Sequence, residues 1–315
     1  MAATRYVGLG KETTYGTAVA ATRYGETIAS LKPDQNWKIP KPVAYRAFMK
    51  KYLGPYRARG AIGDFAVEPE NLIGELLLGV FGSVATTNPS TGVYLHTFTP
   101  ADTLPSYTIR QGSEQTERIL PGGLVDALTV HFAHDEVIKA KADVLSGFVE
   151  TKASLGTPTF TALQALSMQE ASSVLTIAGA TKRSTIYDLE VSVKNNIPFD
   201  KGTLDGRTFS KKLVGMREVT GKLSAYFDST DEYDKFIAGT EFTLIIQADG
   251  PIISGAYKYF LAFELRKCVF KGAVPDLKAW DEPLVVDAPF QAFYDTNGGF
   301  NAEAKAKLEN AITAY

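Results

Sequence analysis

One fifteen-residue stretch, Arg46-Ala-Phe-Met-Lys-Lys-Tyr-Leu-Gly54-Pro-Tyr-Arg-Ala-Arg-Gly60, occurs twice in this chain in related form. The second copy is Arg207-Thr-Phe-Ser-Lys-Lys-Leu-Val-Gly215-Met-Arg-Glu-Val-Thr-Gly221, and six of the fifteen positions are identical in one frame. Every identical pair is separated by 161 positions (207 − 46). Because recurrence at a fixed spacing indicates a repeated structural unit, we interpret the chain as a tandem duplication.

The length and composition suit two globular domains. The chain has 315 residues, of which 45% are apolar and 22% are charged, and each half is long enough to bury its own core. No apolar run approaches the ~20 residues of a membrane-spanning helix, and the first residues do not resemble a secretory signal. Cys268 is the single cysteine, so no internal disulfide can form. We expect synthesis in the cytoplasm, no membrane partner, and stability that comes from packing or assembly.

Charge is distributed unevenly, although the net charge is only −2. Residues 1–60 carry eleven lysines and arginines against three acids, a local +8, whereas residues 61–160 carry five against twelve, a local −7. For any single charge, a solvated face is the commoner explanation. The alternative is a polar subunit whose basic segment docks on an acidic surface of its neighbour.

Alternating apolar and polar residues predict half-buried antiparallel strands in both halves. The clearest segments are 127–132, 137–144, 188–194, 242–246, 257–263 and 284–290. The glycine-rich first 25 residues predict an arm or hairpin with little core of its own. After the repeated stretch the spacing between equivalent positions falls from 161 to 146, so the first copy is longer. We assign the excess to an extended loop at residues 83–106.

Each half also contains one helix pattern. In the first, a stripe of apolar residues follows Pro69, which suits the first turn of a helix; the stripe is Leu72, Ile73, Leu76, Leu77, Val80 and Phe81. In the second, Ser229-Thr-Asp-Glu232 predicts a capping box and Gly239 a helix end. There we expect Tyr233, Phe236 and Ile237 to be buried.

These patterns together predict a mainly β fold. We expect two tandem antiparallel β-sandwich or barrel domains, residues 1–165 and 166–315, each with one flanking α-helix. Residues 147–172, which are rich in small and polar side chains, are the best candidate for the linker. The last fifteen residues predict either a short helix or a final strand.

The sequence is poor in patterns that bind nucleotides or metals. Gly8-Leu-Gly10-Lys11 fails the spacing of a phosphate-binding loop, because Arg5 stands where that loop needs glycine and Glu12 where it needs serine or threonine. His131 and His134 would point to opposite faces of a strand, without further ligands of typical spacing nearby. We therefore expect no cofactor and no metal.

Catalytic residues are equally scarce. Cys268 lies in an apolar run and is expected to be a buried small hydrophobe. The acidic pairs Asp135-Glu136 and Asp281-Glu282 occupy equivalent places in both copies. Because a glycosidase pair would be unique and would face a cleft, the repeated pairs indicate turns. We predict that the protein is not an enzyme.

The repeated stretch has the composition of a binding surface. In the first copy, cations alternate with aromatic residues, which suits nucleic acid, but arginine and tyrosine are also enriched at protein interfaces. The second copy keeps only one aromatic residue, Phe209, and gains Glu218, whereas a base-stacking platform would keep its aromatics. We therefore favour protein contact. The predicted subunit or ring interface comprises Arg46, Phe48, Lys50, Lys51, Arg57, Arg59, Arg207, Phe209, Lys211, Lys212 and Arg217.

Three segments resemble the major tail tube proteins of long-tailed, siphovirus-type bacteriophages. They are Gly10-Lys-Glu-Thr-Thr-Tyr-Gly-Thr-Ala-Val19, Glu68-Pro-Glu-Asn-Leu-Ile-Gly-Glu-Leu-Leu-Leu-Gly79 and Tyr94-Leu-His-Thr-Phe-Thr-Pro-Ala-Asp-Thr-Leu-Pro-Ser-Tyr-Thr-Ile109. The similarity spans most of the first half and, through the repeat, the second. The resemblance implies a structural virion protein in which small β-domains form rings that stack into a hollow tube.

In relatives with one such domain, six subunits form a ring, so a fused pair implies trimeric, pseudo-hexameric rings. The implied partners are further copies of the chain, the tape measure, terminator and distal tail proteins, and genomic DNA that passes without specific binding. We expect a neutral or acidic lumen, because several lysine–phosphate contacts per ring would retain DNA. Two alternatives are another tail or injection-apparatus subunit on the same fold, and a carbohydrate-binding β-sandwich, for which two tryptophans are few.

Overall fold

The structure, a computed structural model, describes residues 5–35, 37–38, 52–161, 164–200, 206–209, 211–276 and 284–315. Within these ranges the protein is mainly β, and its strands pair in antiparallel fashion. Two α-helices and one short 3-10 helix, Asn297–Gly299, complete the described part. The predicted fold class is therefore confirmed.

The described part of the first half contains twelve strands and helix α1, which lies between β6 and β7. In chain order the elements are β1 (Arg5–Lys11), β2 (Arg23–Gly25), β3 (Lys32–Asp34), β4 (Trp37–Lys38), β5 (Tyr52–Leu53), β6 (Arg57–Ala66), α1 (Ile73–Phe81), β7 (Gly82–Ser90), β8 (Val93–Pro100), β9 (Tyr107–Ser113), β10 (Thr116–Ala133), β11 (Lys139–Ser146) and β12 (Thr151–Ser154).

The second half continues with nine described strands and helix α2. These are β13 (Val174–Ile177), β14 (Ala180–Thr181), β15 (Ile186–Lys194), β16 (Glu218–Tyr226), α2 (Asp231–Ala238), β17 (Phe242–Ser254), β18 (Tyr257–Phe270), β19 (Pro275–Asp276), β20 (Val285–Ala292) and β21 (Lys305–Asn310).

The strands of the two halves pair in the same order. In the first half the hydrogen-bonded order is β2–β1–β9–β10–β11–β6–β3. In the second half it is β14–β13–β17–β18–β20–β16–β15. Strand β16 begins 161 residues after β6 (218 − 57), and β20 begins 146 residues after β11 (285 − 139). The spacings found in the sequence therefore relate equivalent strands of two units with one topology.

The predicted strands are confirmed where apolar residues alternate with polar ones. Leu128, Val130 and Phe132 on β10 are buried, and so are Leu189 and Val193 on β15. Removing a side chain of this size from water stabilises the fold by about 1.5–3 kcal/mol. The alternation therefore gives each strand one face that must pack against a core and one face that stays in contact with water.

The expectation of an N-terminal arm with little core is wrong. Strand β1 pairs with both β2 and β9, and Tyr6, Val7 and Leu9 are buried. Glycines alternate with these residues because residues 19–24 pass close above them: a Cβ on Gly10 would lie 2.2 Å from the carbonyl oxygen of Ala20. The segment looked featureless in the sequence because its packing partners lie about 100 residues further along the chain.

The predicted extended loop at residues 83–106 contains a β-hairpin instead. Strands β7 and β8 pair with each other, and Gly92 takes a positive φ of 75° at the turn. Strand β8 also pairs with β21, the last strand of the chain. This pairing explains why local sequence features gave no strand signal, and it settles the end of the chain as a strand.

The helix predictions need three corrections. Helix α1 begins at Ile73, so Pro69 lies in the preceding turn and not in the first helical turn. The capping box before α2 does not form, because the Thr230 hydroxyl donates to the Asp234 carboxylate at 2.8 Å and not to the backbone. Ile237 is 65% exposed and not buried. The left-handed Gly239 ends α2 as predicted.

A buried histidine fastens the last residues to the β7–β8 hairpin. His96 on β8 is fully buried, and its Nδ1 lies 2.9 Å from the Thr86 hydroxyl. Its Nε2 lies 2.9 Å from the carbonyl oxygen of Ile312 and 3.1 Å from Oδ1 of Asn310. Both of those atoms accept hydrogen bonds, so the neutral ring carries its proton on Nε2. The edge of the Tyr315 ring packs 4.7 Å from the imidazole centroid.

This histidine predicts a loss of stability in mild acid. Burial lowers the pKa of His96 below its ordinary value of 6.5, although the bonds to Ile312 and Asn310 oppose the shift. A neutral group with a lowered folded-state pKa contributes stability above pH 6.5, and that contribution falls as the pH drops below this value, by up to ~1.4 kcal/mol per pH unit. Urea denaturation at pH 7.5 and 5.5 would measure the loss.

The matched control for that measurement is His96→Gln, which keeps hydrogen-bonding groups but cannot titrate. The wild-type protein is expected to lose more stability than this variant between the two pH values. Equal losses in both proteins would show that another group is responsible.

Candidate functional site

The two halves meet in one continuous sheet. The second part of β10, Ala127–Ala133, pairs antiparallel with Asp188–Lys194 of β15, from Ala127 opposite Lys194 to Ala133 opposite Asp188. At the centre of this seam, the hydroxyl oxygens of Thr129 and Ser192 lie 3.0 Å apart. Strands β3, β6, β11, β10, β15, β16 and β20 therefore run side by side across both halves.

Asn195 secures the end of this seam. Its side chain is completely buried, and its Nδ2 donates to the carbonyl oxygens of Val80 at 3.0 Å and Val125 at 3.3 Å. Its backbone amide donates to the carbonyl oxygen of Asp126 at 2.7 Å. Because a buried amide without these partners would be costly, Asn195 fixes where the second half sits on the first. Sequence analysis did not identify it, since an asparagine at a strand end signals only a turn.

The second copy of the repeated stretch reaches back onto the first half. Phe209 is buried in a small cluster separate from the main core, and its backbone amide donates to Gly147 at 3.1 Å. The Phe209 ring lies 5.3 Å from that of Phe199. A Cβ on Gly147 would lie 2.1 Å from the Cβ of Phe209, so the contact requires glycine. The buried members of the cluster are Leu104, Leu124, Leu145, Ile197, Phe199 and Phe209.

Arg207 ties the same copy to the segment that ends the first copy. Its Nε donates to the carbonyl oxygen of Gly54 at 3.0 Å, and a terminal nitrogen donates to Oε1 of Gln35 at 2.6 Å. The amide of Tyr56 donates to the carbonyl oxygen of Arg207 at 2.9 Å. These polar contacts flank the buried Phe209.

Two further cations of this copy contact carbonyl oxygens of the first half. Lys212 Nζ lies 3.3 Å from the carbonyl oxygen of Leu104 and 5.2 Å from the ring centre of Tyr15. Arg217 donates to the carbonyl oxygen of Ala101 at 3.0 Å. Burial lowers the pKa of Lys212 and of Arg217. Both cations lie partly out of water at the contact between the halves.

The first copy is only partly described. Arg57 donates to the carbonyl oxygen of Asp200 at 2.6 Å, and the guanidinium groups of Arg57 and Arg59 lie 5.9 and 5.2 Å from the ring centre of Phe199. Lys211 is exposed. The other predicted interface residues, Arg46, Phe48, Lys50 and Lys51, lie outside the described residues. The structure therefore brings six of the eleven candidates together where the two halves of one chain meet.

The continuous sheet has one packed face and one polar face. The polar face of its central strands carries four lysines and five carboxylates, so it is close to neutral. The lysines are Lys139, Lys141, Lys194 and Lys222, and the acids are Asp143, Asp188, Glu190, Glu218 and Asp287. Opposite charges face each other across neighbouring strands, as Glu218 does with Lys194, and Lys222 binds Asp287 at 2.8 Å.

The remaining candidate groups make structural contacts. His131 Nε2 lies 2.5 Å from Asp188 across the seam, and His134 lies 3.5 Å from Asp135. Cys268 is buried as expected, and burial raises the pKa of its thiol to about 12. Within the described ranges there is no group of three or more side chains placed to hold a metal ion. No helix in the part of the chain that the structure describes is long and apolar enough to cross a membrane.

Comparison with known families gives one match. The model of the phage tail tube protein family matches residues 2–292, which include both copies of the repeat and the seam between the halves. No curated protein matches the chain.

Proposed function

The chain belongs to the phage tail tube protein family, and from this premise we propose that three copies close into a pseudo-hexameric ring and that such rings stack into the tube through which the genome leaves the virion. The observation that supports the ring is the internal seam. Two units of one topology already join side by side in a single sheet. A head-to-tail contact of this kind makes a closed ring when the rotation between units closes.

The size of such a ring is compatible with DNA passage. Each chain would contribute eight strands to the inner sheet, namely β3, β6, β11, β10, β15, β16, β20 and β19. At about 4.8 Å between neighbouring strands, twenty-four strands give a circumference of ~115 Å and a backbone diameter of ~37 Å. Strand tilt would widen this further. Side chains on the inner face would leave room for a DNA duplex.

We assign the polar face of the sheet to the lumen. The other face is covered by the core, the helices and the β7–β8 hairpin, and these bulkier layers fit at the larger radius. The strand positions on the polar face carry four lysines against five carboxylates, which agrees with the expected neutral or acidic lumen. Lysines paired with neighbouring acids have little charge left to hold phosphate.

The first copy of the repeat is proposed to contact the next chain. Its counterpart inserts Phe209 and three cations into the first half of the same chain. By equivalence, Arg46, Phe48, Lys50 and Lys51 would reach a neighbouring chain in the ring or the next ring. Lys50→Glu combined with Lys51→Glu is expected to abolish stacking and leave a folded protein. Electron microscopy would show the loss of tubes, and normal tubes from this variant would contradict the assignment.

Negative-stain microscopy of the purified protein separates the main proposal from its alternatives. A tail tube subunit gives long hollow polymers with a regular axial repeat. A distal tail or injection-apparatus subunit on the same fold gives single rings that do not extend. Specific binding in a glycan screen, with neither rings nor tubes, would favour the carbohydrate-binding alternative. Partners at the tube ends, such as the tape measure, terminator and distal tail proteins, follow from the same proposal.

A further inference from the structure

We propose that neighbouring chains join by antiparallel pairing of residues 29–33 of one chain with residues 273–275 of the next, with Val274 opposite Lys32. This inference rests on the proposed ring and names the edges that close it. Its basis is the internal seam between β10 and β15, because each side of that seam has a counterpart at an open edge of the same chain.

The first open edge is at β3, the counterpart of β15. Lys32 pairs with Arg59 on β6, and Ser192 pairs with Thr220 on β16. Arg59 and Thr220 are separated by the repeat spacing of 161, so Lys32 corresponds to Ser192. Among the described residues, β3 pairs only with β6, whereas β15 has partners on both sides.

The main chain at this edge points outward in the way the seam requires. The amide of Ser30 donates to the carbonyl oxygen of Ala61 in β6 at 2.8 Å. Because hydrogen-bonding direction alternates along a strand, Ala29 and Leu31 direct their own groups away from β6. The side chains of Ala29 and Leu31 are buried, as are those of their counterparts in β15.

The second open edge is at β19, the counterpart of the second part of β10. Pro275 on β19 and Val130 on β10 have partners on β20 and β11 that are related by the spacing of 146. Val274 therefore corresponds to Thr129. Within the described ranges, β19 has one partner strand, β20. Val274 is 61% exposed, which leaves a large apolar side chain beside an unpaired edge.

The internal seam then gives the register. Thr129 faces Ser192 with their hydroxyl oxygens in contact, so their counterparts Val274 and Lys32 would face each other across two chains. Lys32 is also exposed in the single chain. In the pair, the aliphatic stem of Lys32 can cover Val274 while its ammonium group stays in water.

Prolines restrict what these edges can bind. Pro33 and Pro275 have no amide hydrogen, so this stretch retains two main-chain bonds, from Ala273 to the carbonyl oxygen of Pro33 and from Leu31 to that of Pro275. The carbonyl oxygen of Leu31, which would face Pro275, already accepts a bond from Arg118 at 3.4 Å. Edges blunted in this way resist unspecific pairing, and they pair when the ring holds them in register.

The joint between chains is expected to be weaker than the joint within a chain. Inside the chain, a second pairing between β8 and β21 reinforces the seam. The second half has only the three residues Gly239–Glu241 between α2 and β17, where the first half has the β7–β8 hairpin. No equivalent of β8 is therefore present to reach the next chain, and the exterior of the ring is threefold and not sixfold.

A disulfide scan tests the register. Lys32 and Val274 would form a non-hydrogen-bonded pair with Cα atoms ~4.5 Å apart, a distance that a disulfide can span. Assembled Lys32→Cys/Val274→Cys protein, mildly oxidised, is expected to give covalent dimers and trimers on a non-reducing gel and nothing larger, because the ring closes at three. The native Cys268 stays unreactive, since it is buried with a pKa of about 12.

Two matched variants control the scan. Thr129→Cys/Ser192→Cys should form a disulfide within one chain, with loss of free thiols and no increase in size. Ser30→Cys/Val274→Cys places the partner two residues out of register, at ~7–8 Å, and should give at least tenfold less cross-linking than the Lys32 pair.

The outcomes separate this inference from the ring itself. Tubes that give no cross-link with the Lys32 pair, or an equal yield with the Ser30 pair, would overturn the register while the tube proposal stands. Efficient cross-linking that continues beyond trimers would support the paired edges and contradict the ring of three.

Discussion

Phe209→Ala is expected to lower the free energy of unfolding by about 3–5 kcal/mol, the usual loss for a buried phenylalanine. Phe209 lies in a small cluster that joins the two halves, where five other apolar side chains are buried. Because the cluster is separate from the main core, few neighbours can close the cavity. The surrounding bonds from Arg207 and Lys212 are oriented by the same loop, so the contact between the halves should loosen as well.

Urea denaturation at neutral pH measures this effect, with Phe293→Ala as the matched control. Phe293 is 43% exposed, and its replacement should change stability by less than ~1 kcal/mol. Limited proteolysis should also cleave the Phe209 variant between the halves earlier than the wild-type protein. Similar stabilities for the two variants would mean that the Phe209 cluster does not hold the halves together.

Reversing two charges on the polar face of the sheet is expected to make tubes retain DNA. Asp143→Lys with Glu190→Lys adds two lysines to each chain and therefore six to each ring of three. Both positions are exposed on the face that we assign to the lumen. Six or more phosphate contacts give an affinity that falls by ~10³ or more between 50 and 200 mM salt. Binding should therefore be strong at low salt and largely lost at high salt.

Filter binding of short duplex DNA to assembled tubes would measure this retention. The matched control is Asp143→Asn with Glu190→Gln, which removes the same two acids without adding cations and should bind far less DNA. Wild-type tubes should bind little at either salt concentration. If tubes of the lysine variant bind no more DNA than the control, the polar face does not line the lumen.

Local sequence patterns predicted much of the fold because most strands have one buried and one wet face. The alternation around Leu128 and Leu189 marked β10 and β15 correctly. The same logic failed for β1, whose glycines let neighbouring segments approach closely, and for β7 and β8, which depend on the last strand of the chain. Packing between residues that are far apart in sequence leaves no periodic signal in either segment.

The candidate site was predictable as a segment but not as a geometry. The repeat singled out Arg207, Phe209 and Arg217 as contact residues, and the structure places all three where the halves of one chain meet. Their assignment to contacts between subunits or rings stays a prediction. Asn195 was missed, because its role depends on three carbonyl groups that converge only after folding.

The most direct test of the account is the number of chains in one ring, measured by cryo-electron microscopy of assembled tubes. We predict three chains per ring, a pseudo-sixfold inner sheet, and the β7–β8 hairpin at three of the six positions outside. A ring of six chains, or one in which the two halves of the chain occupy unlike environments, would contradict it.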